Sequence, residues 1–124
     1  MDNKQQKDST RKVGANAEEL AVRVLGGKGF RILKQNFQIR GGEIDIIAEH
    51  KGVLVFIEVK ARYSHDFGLP IESITPSKVR FLKRAAQMYI HQNHLYNKLA
   101  RFDVVTIDYV LGNPLIEHME NAFF

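Results

Sequence analysis

The stretch Val53-Leu54-Val55-Phe56-Ile57-Glu58-Val59-Lys60-Ala61 decides the fold. Its near-continuous apolar run suits a strand buried on both faces. Yet the run closes on a carboxylate and an ammonium. Strand side chains alternate between faces, so Glu58 and Lys60 share one face with Leu54 and Phe56. Charges placed there are costly unless they are paired or bind a metal. Immediately upstream, Lys51-Gly52 marks a turn, and Glu43-Ile44-Asp45-Ile46-Ile47-Ala48 alternates as a preceding strand. That turn lays the two strands antiparallel and brings Asp45 within reach of Glu58, given a few residues of register slack.

Outward from this pair the remaining elements follow. Val13, Ala17, Leu20, Ala21, Val24 and Leu25 recur at helical spacing and predict an amphipathic helix from about 11 to 27, stopped by Gly26, Gly27 and Gly29. Residues 1–10 read as a flexible polar tail ahead of a single domain spanning 11–124. Phe30, Ile32 and Phe37 suggest a first strand, and Gly41-Gly42 a turn. After the turn-rich segment 64–76, Thr75 is placed as an N-cap with Pro76 at the first helical position. Val79, Leu82, Ala86 and Tyr89-Ile90 carry a second helix to about residue 94. Arg101 to Tyr109 alternates as a fourth strand, and Leu115 to Met119 suggests a short edge strand. The predicted class is α/β, in the order α-β-β-β-α-β(-β). Tight turns make the first three strands an antiparallel meander. The helical crossover permits a parallel fourth strand, giving a mixed sheet flanked by helices.

Composition excludes several functional classes. The chain has 124 residues, enough for one core without staples. It has no cysteine, so a disulfide scaffold, a thiolate zinc finger and a cysteine nucleophile are ruled out. No apolar run is long enough to span a membrane, and the polar start is not a secretory signal. A cytoplasmic protein is expected. The net charge of +4 is less informative than its distribution. Lys78, Arg80, Lys83, Arg84, Lys98 and Arg101 fall in residues 73–102, which hold no acidic residue. A second basic stretch lies in residues 4–40, and Glu43, Asp45, Glu49 and Glu58 are concentrated between the two. A phosphate-binding surface around a metal centre has this pattern, and so do solvated helix faces.

The chemistry therefore centres on Asp45, Glu58 and Lys60. A Glu-x-Lys on one strand face is, by itself, an ordinary ion pair worth under ~1 kcal/mol. Its place inside an apolar run, with Asp45 thirteen residues upstream across one turn, points instead to a metal site. Converging carboxylates favour a hard divalent cation such as Mg²⁺ or Mn²⁺. Lys60 would orient a water or neutralise charge developing on a phosphate. Arg62 shares the Glu58 face and is a candidate phosphate contact. Lys78 stands in the first turn of the second helix, where a lysine opposes the helix dipole. Glu43 has three readings open: a turn residue, an acceptor supporting the ligands from behind, or a register-setting surface charge. His91 and His94 are read as surface residues.

Asp45 followed by Glu58-Val59-Lys60 resembles the PD-(D/E)xK nuclease core of restriction enzymes and archaeal Holliday-junction resolvases. The wider pattern resembles the YraN-like family of small bacterial proteins with an endonuclease-like fold. It is carried by Gly14, Ala17-Glu18 and Ala21, then by Gly29-Phe30-Arg31-Ile32-Leu33 and Asn36-Phe37. It continues through Gly42 to Ala48, Val55 to Arg62, Phe67-Gly68, Pro70, Lys78, Arg101 to Val105 and Asn121-Ala122-Phe123, covering about residues 13–123. The resemblance implies a restriction-endonuclease-like fold and a metal-dependent endonuclease acting on DNA more than RNA. It also implies a core helix delivering Glu18 to the metal, and a possible homodimer. Arg62, Lys78, Arg80, Lys83 and Arg84 would contact nucleic acid in a groove framed by the meander and the second helix. Two rival classes remain: a protein that binds branched or single-stranded nucleic acid without cutting it, and a structural domain whose charges form an ion network.

Overall fold

The computed structural model describes residues 16–63 and 74–123. Helix α1 runs over 16–27. Strands β1 (Arg31–Ile39), β2 (Gly42–His50) and β3 (Val53–Arg62) follow, then helix α2 (Pro76–Gln92) and strands β4 (Ala100–Asp108) and β5 (Leu115–Phe123). The five strands form one sheet in the order β1-β2-β3-β4-β5. Every neighbouring pair is antiparallel except β3 and β4, which run parallel across the α2 crossover. The predicted α-β-β-β-α-β-β order is the observed one. The tail expected at 1–10, the first residues of the helix expected from 11, and the segment 64–73 lie outside the described residues.

The sheet carries a core on each face. Ala17, Ala21 and Leu25 form one stripe of α1 and bury against Ile46, Ala48, Val55, Ile57, Val105 and Ile107. Phe81, Leu82, Ala85, Ala86 and Tyr89 of α2 bury against Phe37, Ile44, Ile47, Leu54 and Phe56 on the other face. The central strand β3 therefore supplies apolar side chains to both faces, which is why its sequence reads as a run rather than an alternation.

The ends of the elements follow local chemistry. His50 pairs with Val53 across a two-residue turn in which Lys51 and Gly52 both have positive φ, the geometry of a type I′ hairpin. Thr75 caps α2 by accepting the Lys78 N–H at 3.1 Å, ahead of Pro76. At the β1–β2 turn, Gly42 has a φ of 153° and faces the Phe81 ring, where an added Cβ would lie 3.0 Å from Cζ. Gly42→Ala is therefore expected to lose about 1–3 kcal/mol, read as a lower urea midpoint. A small-to-small exchange on the exposed side of α2 would not do so.

One expectation is corrected. The last strand does not stop at Met119 but continues to Phe123, which pairs with Phe102. A register shift between Phe102 and Val104 makes this possible, together with Asn121 at a φ of 51°. The His118 side chain is drawn inward onto the buried Asp103, and the Asn121 backbone bonds the same carboxylate. His118 Nε2 lies 2.7 Å from Asp103 Oδ2, and the Asn121 N–H donates to Asp103 Oδ1 at 3.2 Å.

Candidate metal centre

Strands β2 and β3 are paired from His50↔Val53 as far as Ile46↔Ile57, and there the backbone pairing ends. The next β3 donor, the Val59 N–H, bonds the Asp45 carboxylate at 2.8 Å. Asp45 is thus held at the point where the two strands part. The side-chain alternation of β2 resets at the same place. Ile44 and Ile47 belong to the α2-side core, whereas Ile46 and Ala48 belong to the α1-side core.

The neighbouring strand is irregular at the same level. Gln35 pairs with Ile46 and Phe37 with Ile44, so Asn36 stands opposite Asp45, and Asn36 has a φ of 53°. Asparagine tolerates this left-handed conformation better than other side chains except glycine. Its side chain hydrogen-bonds Glu18 of α1. Glu18, Glu43 and Asp45 consequently offer carboxylate oxygens within 4.8 Å of one another.

Glu58, on β3, is not one of these three and meets the centre through Asp45. Burial, first, and the Asp45 charge, second, push its carboxyl up to about 8. Lys78 and Lys60 oppose that shift, with their ammonium groups each 3.8 Å from Glu58 oxygens. Glu58 Oε2 is buried and has no hydrogen-bond partner among the described residues. Glu18 is pushed up to about 7, chiefly by burial and then by Asp45 and Glu43, while the Asn36 hydrogen bond pulls it down. Two carboxyls that hold protons near neutrality mark a centre with more negative charge than its surroundings balance. A hard divalent cation with oxygen ligands fits that imbalance and the Glu58 oxygen that makes no hydrogen bond.

The same shifts set a pH dependence. Unfolded glutamates ionise near 4.5, whereas Glu18 and Glu58 do so at about 7 and about 8 in the folded protein. Below 4.5 both states are protonated and these groups cost nothing. Between 4.5 and 8 the unfolded chain releases protons that the folded chain keeps, so stability falls as pH rises through that window. The metal-free melting temperature is expected to drop by about 5 °C or more between pH 5 and pH 8, and Glu58→Gln to flatten the decline.

The other expected site residues divide into two groups. Lys78 turns toward Glu58 and lies above the Phe81 ring, 5.1 Å from its centroid, rather than standing in solvent. Arg62 is built into the β3–β4 pair through Asp108 at 3.0 Å. Arg84 covers Phe81 from the exposed side of α2, 5.5 Å from the ring centroid. Arg80 is exposed and Lys83 partly so, both on the outward side of the helix. His91 bonds Tyr96 at the surface, in keeping with its surface reading.

Three features were not legible in the sequence. Glu43 stands with the potential ligands rather than behind them. Asn36 hydrogen-bonds Glu18, a role that its place in the Asn36-Phe37 motif did not reveal. His118, which had no partner in the sequence, joins the buried Asp103 and also receives Lys28 at 3.1 Å.

No helix among the described residues is long and apolar enough to cross a membrane. The model of a family described as "Uncharacterised protein family UPF0102" matches residues 17–107. A UPF0102 protein of Pelobacter propionicus is 44% identical over 118 residues, covering 91% of this chain and 83% of that protein. One from Clostridium perfringens is 45% identical over 119 residues, covering 94% and 98%, respectively. A third, from Carboxydothermus hydrogenoformans, is 43% identical over 112 residues, covering 90% and 95%. The match spans α1 to β4 and so includes Glu18, Glu43, Asp45, Glu58 and Lys60; the chain belongs to the UPF0102 family, the YraN-like family its motifs resemble.

Proposed function

We propose that the chain is a metal-dependent nucleic-acid phosphodiesterase, selective for structure rather than sequence and acting on DNA more than RNA. The observation that carries this reading is the convergence of Glu18, Glu43 and Asp45 within 4.8 Å of one another, beside a buried Glu58 whose Oε2 makes no hydrogen bond and lies 3.8 Å from the Lys78 ammonium, where β2 and β3 part. An ion network built only for stability would hydrogen-bond that oxygen.

Asp45 would hold the cation, with Glu58, Glu18 and Glu43 supplying further oxygens. When bound, Mg²⁺ or Mn²⁺ polarises the scissile phosphate and lowers the pKa of a coordinated water. Lys60, half-buried beside Glu58, orients the attacking water or neutralises charge on the phosphate in the transition state. Lys78, drawn into the site by Glu58, adds a second positive group facing the same charge. Asn36 keeps Glu18 turned toward Asp45. Water attacks phosphorus, the bond to the leaving oxygen breaks, and that oxygen takes up a proton.

Arg80, Lys83 and Arg84 extend positive charge along α2 from this centre. Contacts of that kind read backbone and shape rather than base sequence, so binding should weaken steeply with salt.

The test is to incubate the protein with branched, flapped and single-stranded DNA in Mg²⁺ or Mn²⁺, alongside Lys60→Ala. Metal-dependent cleavage lost in the variant is the expected result. Binding without cleavage, unchanged by the substitution, would identify a non-catalytic nucleic-acid-binding protein supporting repair, recombination or uptake.

A further inference from the structure

Beyond Ile57, β3 runs on to Arg62 without β2 alongside, so this length of strand borders the gap that opens at Asp45. Tyr63 follows directly, at the end of the strand that carries Glu58 and Lys60. It is 48% exposed, and its ring is stacked on Tyr109 with centroids 5.2 Å apart and planes within 8°. Tyr109 is fixed from behind. It packs on the α1-side core, and its N–H bonds the Arg62 carbonyl at 2.8 Å. The Arg62–Asp108 ion pair ties the same two strand ends together. An exposed aromatic ring is thus backed by a second ring on a rigid strand pair. At ~3.3 Å per residue it stands about 10 Å from Lys60 along β3.

We propose that Tyr63, backed by Tyr109, is a stacking platform for an unpaired nucleobase flanking the scissile phosphate. This deepens the phosphodiesterase reading and rests on it. A base inside a duplex has both faces covered by its neighbours, so a protein ring can stack only on one that is unpaired or splayed out. The substrate class is therefore a strand with an unpaired base next to the cleaved bond, as in a flap, a branch or a single strand. A ring already held by Tyr109 loses little freedom when a base docks on it. Tyr109 packs on the α1 side of the sheet, the side of Glu18, whereas Glu58 and Lys60 share the α2-side face of β3 with Leu54 and Phe56. A strand that passes through the gap from the α2 face to the α1 face can therefore place its phosphate at the carboxylates and a neighbouring base on Tyr63.

The experiment compares wild type, Tyr63→Phe and Tyr63→Leu. Each is given a short single strand carrying a fluorescent purine analogue, and the same sequence as a duplex. Affinity is measured in Ca²⁺ and cleavage in Mg²⁺. Wild type and Tyr63→Phe should quench the analogue. Tyr63→Leu should bind the single strand about tenfold to a hundredfold more weakly, with duplex affinity little changed. Equal single-strand affinity in wild type and Tyr63→Leu, with cleavage intact in both, would overturn the platform and leave the hydrolase reading standing. Wild type that neither binds nor cuts either form would overturn both. Tyr63→Phe, which keeps the ring, controls for folding, and a weakened Tyr63→Phe that melts like wild type would also count against stacking.

Discussion

Replacing Asp45 with asparagine is expected to lower metal-dependent cleavage by about a thousandfold or more, and at the same time to raise the melting temperature of the metal-free protein. The two effects have one cause. The Asp45 charge contributes to the raised ionisation of both Glu18 and Glu58, so its removal relieves repulsion inside a partly buried cluster. Asparagine keeps a carbonyl oxygen to accept the Val59 N–H, so the point where β2 and β3 part is preserved. Adding Mg²⁺ or Mn²⁺ should then stabilise wild type, as a cation held only by the folded centre would, and should not stabilise the variant. A cleavage assay and a thermal melt with and without metal check both arms. A variant that is simply misfolded would lose activity and also melt lower, which is the opposite sign.

The second large effect concerns stability alone. Asp103→Ala is expected to cost about 3–5 kcal/mol, because it leaves buried charged and polar partners uncompensated. Asp103 is fully buried and takes the Arg101 guanidinium at 3.0 and 3.3 Å, His118 at 2.7 Å and the Asn121 N–H at 3.2 Å. These contacts fasten β5 to β4 at its register shift. Through the Lys28 bond to His118 they also fasten the segment between α1 and β1. The melting temperature should fall on the order of 10–20 °C. Metal-induced stabilisation, measured below the new melting point, should persist, since the carboxylates at Asp45 are elsewhere in the sheet. The chain thus uses one buried aspartate for architecture, with its oxygens satisfied by donors, and another among competing carboxylates.

The contrast explains how much could be read from the sequence. The apolar run of β3, the Lys51-Gly52 turn and the Thr75-Pro76 helix start are local signals, and they produced the element order and the parallel β3–β4 pair. Asp45 and Glu58 were legible because a turn of known length fixes which residues face each other. Glu43 was left open because alternation puts it on the Asp45 face without saying whether a residue at a strand entry is a ligand, a supporting acceptor or a surface charge. The Asn36 bond to Glu18 was hidden because no pattern of apolar spacing encodes a left-handed asparagine. Lys78 was ambiguous because its partner lies on another element, 20 positions earlier in the chain. The full length of β5 was hidden for the same reason, since His118 has no partner until Asp103 is placed beneath it and the Asn121 backbone N–H bonds the same carboxylate.

The central claim is that the carboxylates around Asp45 hold excess protons until a divalent cation replaces them. Calorimetric titration of Mn²⁺ at neutral pH, repeated in two buffers of different ionisation enthalpy, tests it directly. The account predicts saturable binding to wild type with net proton release as Glu18 and Glu58 give up their protons, and neither in Asp45→Asn. Wild type that binds no Mn²⁺, or binds it as weakly as Asp45→Asn and with no proton release, would contradict the account.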